Sequence, residues 1–231
     1  MLIAIDTETT GLDFKTDDVI EFAAVILDGD EVIPVRKYIR SDKPSSEQAI
    51  AKHHLTSEKL KTLTSHTRYE SLASIREFFT EFLGQDPLFV GMNIPFDLTM
   101  LMQNMKSEAR SIGEEALSSF IFKRMNCFDI YVADKAIRKA YGERRNLETL
   151  SRVYETMTKP DHSALNDAKC ALEIAVKQID LIDEAACKTH APEALHNWCF
   201  RNAKQQNESL NEWLVLKGEA PKKFGWPIVQ V

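Results

Sequence analysis

The sequence is poor in cysteine, has no long apolar run and carries no excess of positive charge. Its 4 cysteines show no Cys-x-x-Cys spacing and are too sparse for a disulfide framework in a chain of 231 residues, so we expect buried free thiols. No segment approaches the roughly 20 apolar residues that a membrane span needs. No basic leader or cleavage site precedes the first polar residues, and the sequence therefore predicts a cytoplasmic protein without membrane contact.

The net charge of −6 argues against a general polyanion binder, because nonspecific affinity for nucleic acids comes mostly from lysine and arginine. It does not argue against a protein that holds cations in an acidic centre, since bound cations cancel that charge. With 44% hydrophobic residues, the chain can bury a proper core as one domain with a terminal appendage. We place the domain at residues 1–188, and a C-terminal helical extension with an irregular tail at residues 189–231.

The first part of the chain has the pattern of three strands. Apolar runs at residues 1–5 and 19–27 predict two of them, and a third is predicted at 31–40. The sequence Asp28-Gly29-Asp30 between the second and third is typical of a hairpin turn. Apolar residues at helical spacing then predict the first long helix: Tyr69, Leu72, Ile75, Phe79 and Phe82.

The next part alternates short strands with helices. Short apolar runs predict strands at residues 88–92 and 126–128, and Pro95 suits the first turn of a helix that continues over 96–105. An apolar stripe predicts a later amphipathic helix: Leu165, Ala168, Leu172, Val176 and Ile179. A strand-led sheet followed by alternating helices and strands predicts an α/β fold, a mixed sheet flanked by helices. One or two helices are expected at residues 193–217.

Two acidic side chains, Asp6 and Glu8, end the first predicted strand. Side chains at positions i and i+2 point to the same face of a strand, so these carboxylates project together. Adjacent carboxylates repel each other unless a positive charge lies between them, and hard cations such as Mg²⁺ take oxygen ligands. Taken alone the pair is weak evidence, because acidic residues at strand ends are usually just solvated.

Two later segments place polar residues at helix starts. Asp97 lies in the opening turn of a helix that directly follows a strand, where backbone amides and the helix dipole favour negative charge. His162 precedes the amphipathic helix, Ser163 is its natural N-cap, and Asp167 lies in its first turns. Each of these is an ordinary capping or surface residue when taken alone. Together with the first acidic pair, they are the set that a two-metal phosphoryl hydrolase needs.

Three motifs therefore occur in order: Asp-x-Glu-Thr-Thr-Gly at residues 6–11, Asn-x-x-Phe-Asp at 93–97 and His-x-x-x-x-Asp at 162–167. This series resembles the exonuclease motifs of the DEDDh group of 3′-to-5′ exonucleases, also called DnaQ-like, over about residues 1–185. The resemblance implies the RNase H-like fold, with a sheet that is antiparallel over its first three strands and then parallel. His162 indicates the histidine branch, because the tyrosine branch carries tyrosine where this chain has Ser163.

A fourth segment, residues 48–56, resembles a loop that usually ends in His-Gly-Ile-Thr in this group. His53 stands at the histidine position, and His54 replaces the glycine. Glycine often supplies a positive φ, so this replacement bears on the geometry of the turn. Met92, where many relatives have histidine, is a milder departure.

The resemblance implies a mechanism with two divalent ions, Mg²⁺ or Mn²⁺, held about 3.5 to 4 Å apart. Asp6 would be shared by both ions, Glu8 and Asp167 would complete the site of the attacking water, and Asp97 would support the second ion. His162 would act as general base, since the ordinary pKa of imidazole, about 6.5, suits proton transfer near neutral pH. The product would be a nucleoside 5′-monophosphate.

The resemblance also implies contacts to the terminal nucleotides, which we expect from eight residues: Thr9, Thr10, Gly11, Leu12, Gln48, His53, Asn93 and Phe96. The first three, with Glu8, would hold the 3′-hydroxyl, and Leu12 and Phe96 would pack on the terminal bases. Scaffold packing or turn formation is the alternative for each. Four other acidic residues match no motif position and are set aside: Asp17, Asp18, Glu21 and Asp129. Glu21 is expected to pair with a neighbour.

The implied ligand is the 3′ end of single-stranded DNA or RNA, in proofreading, repair or end trimming. The two nucleic acids are not separated by the motifs, because discrimination depends on the pocket near the 2′-position. One alternative is an oligoribonuclease-like or RNase T-like enzyme that trims RNA, and another is a noncatalytic accessory subunit of a polymerase or nuclease assembly. Trp198, Trp213 and Trp226 leave open a polymerase or other protein partner for the C-terminal tail, or a tail folded back on the core. A homodimer is a further alternative.

Overall fold

The computed structural model describes residues 1–138, 142–182, 187 and 189–229. These residues form one five-stranded sheet: β1 (Leu2–Thr9), β2 (Val19–Asp28), β3 (Glu31–Tyr38), β4 (Leu88–Gly91) and β5 (Asn126–Asp129). The strand order is β3-β2-β1-β4-β5, so β1 is central. β1, β2 and β3 pair antiparallel, whereas β4 and β5 join the sheet in parallel. The predicted mixed α/β sheet is confirmed.

Nine helices lie in the described part of the chain: α1 (Glu47–His53), α2 (Ser57–Leu63), α3 (Arg68–Phe82), α4 (Ile94–Ser107), α5 (Ile112–Lys123), α6 (Ile130–Ile137), α7 (Leu147–Val153), α8 (Ala164–Leu181) and α9 (Pro192–Leu216). The three long helices predicted before residue 190 correspond to α3, α4 and α8. Five other helices before residue 190 were not predicted from the sequence: α1, α2, α5, α6 and α7. Four of them have only 7 or 8 residues, about two turns, and are too short to show an apolar repeat, whereas α5 has 12 residues.

Alternation along β1 sends its side chains to two cores, one on each face of the sheet. Ile5 belongs to the core that contains residues of α3, α4 and α5, whereas Ala4 belongs to the core formed with α6, α7, α8 and α9. Asp6 and Glu8 share the parity of Ala4 and therefore face α8. Thr7 shares the parity of Ile5 and faces α4. The central strand thus presents polar groups to both helical layers.

The C-terminal segment packs on this sheet rather than away from it. α9 is a single helix that lies against β5 and α6, and Trp198 stacks on Phe128 with ring centroids 6.3 Å apart. Trp226 contacts both cores, while Trp213 is exposed. The tail between residues 218 and 229 has no helix or strand, as expected. The predicted boundary at residue 188 lies outside the described residues, and the division into domain and extension stays a prediction.

The four cysteines are buried free thiols, as predicted. Among the described residues, no helix combines the length and the apolar character required to cross a bilayer.

Candidate metal centre

The central strand and α8 bring three carboxylates together. Ligand oxygens of Asp6, Glu8 and Asp167 all lie within 4.8 Å of one another. α8 begins after Ser163, whose side chain accepts the N–H of Asn166, and this start places Asp167 in the first turn. The cluster therefore arises where the face of β1 that carries both acidic residues meets the N-terminus of α8.

The fourth predicted carboxylate, Asp97, approaches β1 from α4. Its Oδ1 accepts hydrogen bonds from the N–H of Thr7 at 3.0 Å and from the Thr7 hydroxyl at 2.7 Å. β4 pairs with β1 over Leu2–Ala4 and ends at Gly91, so the later part of β1 extends beyond its neighbour. Asp97 satisfies a backbone donor on that edge. The contact of Thr7 with Asp97 could not be predicted from the motif, because Thr7 occupies the unspecified position of Asp-x-Glu.

Burial raises the pKa values of all four groups, and repulsion within the set raises those of Asp6 and Glu8 further. Burial and then the charges of Asp97, Asp167 and Glu8 raise the pKa of Asp6 well above its ordinary value. Burial, followed by the charge of Asp167, raises the pKa of Glu8 to about 8. Burial raises the pKa of Asp97 to about 7, although the hydrogen bonds from Thr7 act in the opposite direction. The pKa of Asp167 is likewise raised by burial.

Four carboxyl groups in this arrangement cannot all ionise at neutral pH without a large electrostatic cost. A bound divalent cation would remove that cost, because it compensates the negative charges directly. Carboxylate oxygens are the ligands that Mg²⁺ and Mn²⁺ prefer. The donor set therefore fits the predicted divalent ions.

His162 lies on the open side of the cluster. It is exposed, has a positive φ of 60°, and borders a groove of about 690 Å³ together with Asp167. Its position follows from Asp161, whose N–H donates to Asp167 Oδ1 at 3.1 Å and whose own Oδ1 accepts the N–H of Ser163. The predicted histidine and aspartate thus face one groove. Asp161 was not singled out from the sequence, since it precedes the motif.

The same groove is lined by residues that sequence analysis did not select. Asn146, Arg152 and Lys159 come from α7 and the segments beside it. Arg152 contacts Glu143, and Lys159 donates to the carbonyl of Thr156 at 2.8 Å. These residues match none of the motifs, so only the folded chain shows that they lie beside the cluster.

The loop after β1 carries the next predicted contacts in a constrained form. The β1–β2 pairing shifts register between Glu8 and Thr9, and the Thr9 hydroxyl donates to the Gly11 carbonyl at 2.6 Å. The Thr10 hydroxyl donates to Asp17 at 2.9 Å. A Cβ at Gly11 would lie 2.4 Å from that carboxylate, so any side chain at this position would displace Asp17 from its hydrogen bond with Thr10. Leu12 follows and is 80% exposed, available to a ligand.

The predicted contacts from α1 lie farther along this side of the sheet. Gln48 is exposed, whereas His53 is buried, with Nδ1 accepting the N–H of Leu55 at 2.9 Å. Burial lowers the pKa of His53. His54 takes the left-handed conformation, with φ 56°. The histidine that replaces glycine therefore keeps the positive φ expected of this turn.

Asn93 and Phe96 lie at the start of α4. Asn93 is exposed and left-handed, with φ 59°, and its N–H donates to Asp129 at 3.1 Å. Phe96 is half-buried and packs on Phe14, with ring centroids 5.5 Å apart. Asp129, which matches no motif, also caps α6 and thereby fixes the turn that carries Asn93.

The other acidic residues that were set aside have structural partners. Asp18 pairs with Lys43 at 2.8 Å and with Arg68 at 3.2 Å. Glu21 Oε1 accepts from Arg36 Nε at 2.6 Å, as expected for pairing with a neighbour. Burial nevertheless raises the pKa of Glu21, and Glu21 stands opposite Glu8 in the β1–β2 register.

The fold and this centre together define an α/β protein with a carboxylate site suited to divalent cations. The family model described as "Exonuclease" matches residues 3–175. Because the match covers well over half of the chain, the protein belongs to this exonuclease family. The predicted membership in the DnaQ-like exonucleases is confirmed.

Several PolC-type DNA polymerase III proteins are similar to this chain. The protein of Staphylococcus haemolyticus is 25% identical over 189 residues, which is 81% of this chain and 12% of the relative. The protein of Thermotoga maritima is 27% identical over 186 residues, 78% of this chain and again 12% of the relative. The chain thus spans about an eighth of the length of these relatives.

Solved exonucleases share the fold. Exonuclease X, in complex with 5′ overhanging duplex DNA, superposes with a TM-score of 0.57 and 19% identity, covering 86% of this chain and 99% of that one. E. coli exonuclease I, in complex with a 5cy-dT13 oligonucleotide, gives a TM-score of 0.62 and 20% identity, covering 90% of this chain and 45% of that one.

Proposed function

We propose that this protein is a metal-dependent exonuclease that removes nucleotides from the 3′ end of single-stranded DNA. The observation that carries the proposal is the cluster of Asp6, Glu8 and Asp167, with Asp97 anchored on β1 and His162 on the open side. Family membership supports exonuclease chemistry. The DNA named with exonuclease X and exonuclease I, and the DNA polymerase relatives, favour DNA over RNA.

Each residue of the centre has a part in phosphodiester hydrolysis. Two divalent ions, Mg²⁺ or Mn²⁺, would supply charge neutralisation at the phosphate and a water of lowered pKa. Asp6, Glu8, Asp97 and Asp167 would hold them. His162 would take the proton of the attacking water, and its exposure lets it release that proton to solvent.

The neighbouring loops would hold the substrate. Backbone groups of residues 9–11 would accept the terminal 3′-hydroxyl, and Leu12 and Phe96 would pack on the last bases. Gln48, His53 and Asn93 would be outer contacts. The groove beside His162 contains Arg152 and Lys159, whose positive charges would favour a phosphodiester backbone.

The wider setting of the enzyme stays a prediction. Polymerase relatives support a proofreading or repair role with a polymerase partner. A partner at the C-terminal tail, a homodimer and a cytoplasmic location are expectations of the same kind.

The proposal is tested by digesting 5′-labelled single-stranded DNA, single-stranded RNA and a mismatched primer-template with Mg²⁺ or Mn²⁺. We expect stepwise shortening of DNA from the 3′ end and no product in EDTA. Asp6→Asn should lower the rate by more than about 100-fold. Replacing even an outer partner of a metal site typically lowers metal affinity or activity 10- to 100-fold, and Asp6 is a proposed direct ligand. Asp30→Asn, an exposed carboxylate in the β2–β3 turn, is the matched control and should keep the wild-type rate.

The same assay separates the alternatives. Faster digestion of RNA would favour the RNA-trimming enzyme. Binding of all three substrates without any cleavage would favour the noncatalytic accessory subunit. Cleavage that survives EDTA or Asp6→Asn would contradict the metal centre itself.

A further inference from the structure

Glu21 is a buried carboxylate that the proposed mechanism does not use. Its side chain is 1% exposed, and one oxygen, Oε1, is bound by Arg36. The other, Oε2, accepts no hydrogen bond from any residue in the described part of the chain. Burial raises the pKa of Glu21, and the N–H of Ala164, the first residue of α8, opposes that rise without giving Oε2 a hydrogen bond of normal geometry. A buried acceptor without a donor is unfavourable, so this oxygen requires an explanation.

The position of Glu21 explains why its Oε2 has no partner. In the β1–β2 register it stands directly opposite Glu8, and paired residues of antiparallel strands project to the same face. That face is the one on which Asp167 of α8 meets Asp6. The charge of Glu21 is felt at both β1 carboxylates, since it raises the pKa of each. Glu21 therefore lies beside the cluster of Asp6, Glu8 and Asp167 on the same face of the sheet, although it is not one of these three residues and matches no motif.

Pairing with Arg36 alone does not account for this placement. Arg36 is partly exposed, with 37% of its side chain accessible, and it could satisfy a carboxylate nearer the surface. Burying the second oxygen of Glu21 beside two other acidic groups adds repulsion and leaves an acceptor unpaired. A cation in the cluster would remove the repulsion, and its hydration water would supply the missing donor.

We propose that Glu21 is a fifth carboxylate of the metal centre, a positioning residue that offers Oε2 to the hydration water of a bound cation while Arg36 anchors Oε1. This inference rests on the proposed metal-dependent function. Outer partners of this kind orient ligands and strengthen binding, and their loss typically costs 10- to 100-fold in metal affinity.

The test is calorimetric titration of the full chain with Mn²⁺ alone, without nucleic acid. Glu21→Gln keeps the size of the side chain and an acceptor for Arg36 but removes the charge. We expect its Mn²⁺ affinity to fall by about tenfold. Asp134→Asn is the matched control, because Asp134 is equally buried and is held by Arg145 at 2.7 Å and by Tyr154, outside the cluster. Its Mn²⁺ affinity should stay at the wild-type value.

Thermal unfolding in EDTA at pH 8 gives a second readout. Glu21→Gln should melt at or above the wild-type temperature, because it removes repulsion from the cation-free cluster. Asp134→Asn should melt lower, since it breaks a buried ion pair that has no such repulsion. A Glu21→Gln protein that is unfolded or melts well below wild type in EDTA would overturn the inference, because Glu21 would then serve only to hold Arg36.

The remaining outcomes are separated by Asp6→Asn. If Asp6→Asn loses Mn²⁺ binding while Glu21→Gln retains wild-type affinity, the metal centre stands and Glu21 is not part of it. Equal losses in Glu21→Gln and Asp134→Asn would also overturn the inference, as a general structural effect. If Asp6→Asn binds Mn²⁺ like the wild type, the proposed metal-dependent function fails as well.

Discussion

The carboxylates and the histidine of this site lie in contrasting surroundings. Asp97 and Asp167 are buried, and each accepts a hydrogen bond from a backbone N–H. His162 is exposed and has a left-handed backbone conformation, just before the start of α8. Burial raises the pKa values of the carboxylates, whereas the imidazole of His162 is open to solvent. One site thus combines buried carboxylates with a solvent-facing imidazole.

The largest expected effect that tests this contrast comes from His162→Ala. Loss of a general base lowers turnover by roughly 10²- to 10⁴-fold, while Mn²⁺ affinity should stay within about twofold of wild type if the imidazole acts as the proposed base and not as a ligand. Single-turnover digestion and Mn²⁺ titration measure the two quantities. His66→Ala, an exposed histidine before α3, is the control. An unchanged rate would remove His162 from the base role, and lost metal binding would make it a ligand.

The next effect concerns stability in EDTA as a function of pH. The raised pKa values of Glu8, about 8, and Asp97, about 7, mean that the folded protein binds more protons than the unfolded chain above about pH 4. The contribution of these two groups to the free energy of unfolding is complete below the pKa that they have in the unfolded chain. It is lost as pH rises through the pKa that they have in the folded protein. The melting temperature should therefore fall between pH 5 and pH 8, by on the order of 5 °C.

The control for this pH dependence is Glu8→Gln, which removes one titrating group and should flatten the fall. Mn²⁺ should raise the melting temperature of the wild type more at pH 8 than at pH 5. Carboxylate ligands bind a metal ion in their deprotonated form, and deprotonation is easier at pH 8. Identical pH profiles for wild type and Glu8→Gln would show that the cluster does not control this behaviour.

The smallest expected effect comes from Thr7→Val, which removes one of the two hydrogen bonds to Asp97. The free energy of unfolding should fall by about 1.5 to 3 kcal/mol, the range for a hydrogen bond to a charged group. The rate should fall severalfold, since Asp97 keeps the backbone bond and stays near β1. Thr80→Val, which removes a hydroxyl bond within α3, controls for the loss of a threonine hydroxyl. Wild-type rate and stability in Thr7→Val would mean that the backbone N–H alone holds Asp97.

Much of the fold could be predicted because its signals are local. The strand periodicity of β1 and β2, the Asp-Gly turn and the apolar stripes of α3 and α8 are readable over short windows. The helices α1, α2, α6 and α7 were missed because helices of about two turns have no repeat to detect, and the longer α5 was missed as well. The two-helix alternative for residues 193–217 was wrong, since a single helix, α9, spans Pro192–Leu216.

The site could be predicted only in part, for a related reason. The motif residues were readable because their chemistry is unusual at strand ends and helix starts. Thr7, Asp161 and Glu21 were not, because their roles depend on partners as far as 90 positions away, as in the Thr7–Asp97 bond. A threonine between two acidic residues carries no sign of the helix that will meet it.

The sequence by itself determined the parity of β1, and with it that Asp6 and Glu8 share one face, because alternation along a strand is a local property of the backbone. It also determined where α8 begins, through Ser163 as its cap. Only the tertiary structure decided that α8 covers that face, that α4 meets Thr7 on the opposite one, and that Glu21 stands beside Glu8. Those choices depend on how the two helical layers bury their apolar surfaces against the sheet, which is settled by packing of the whole chain.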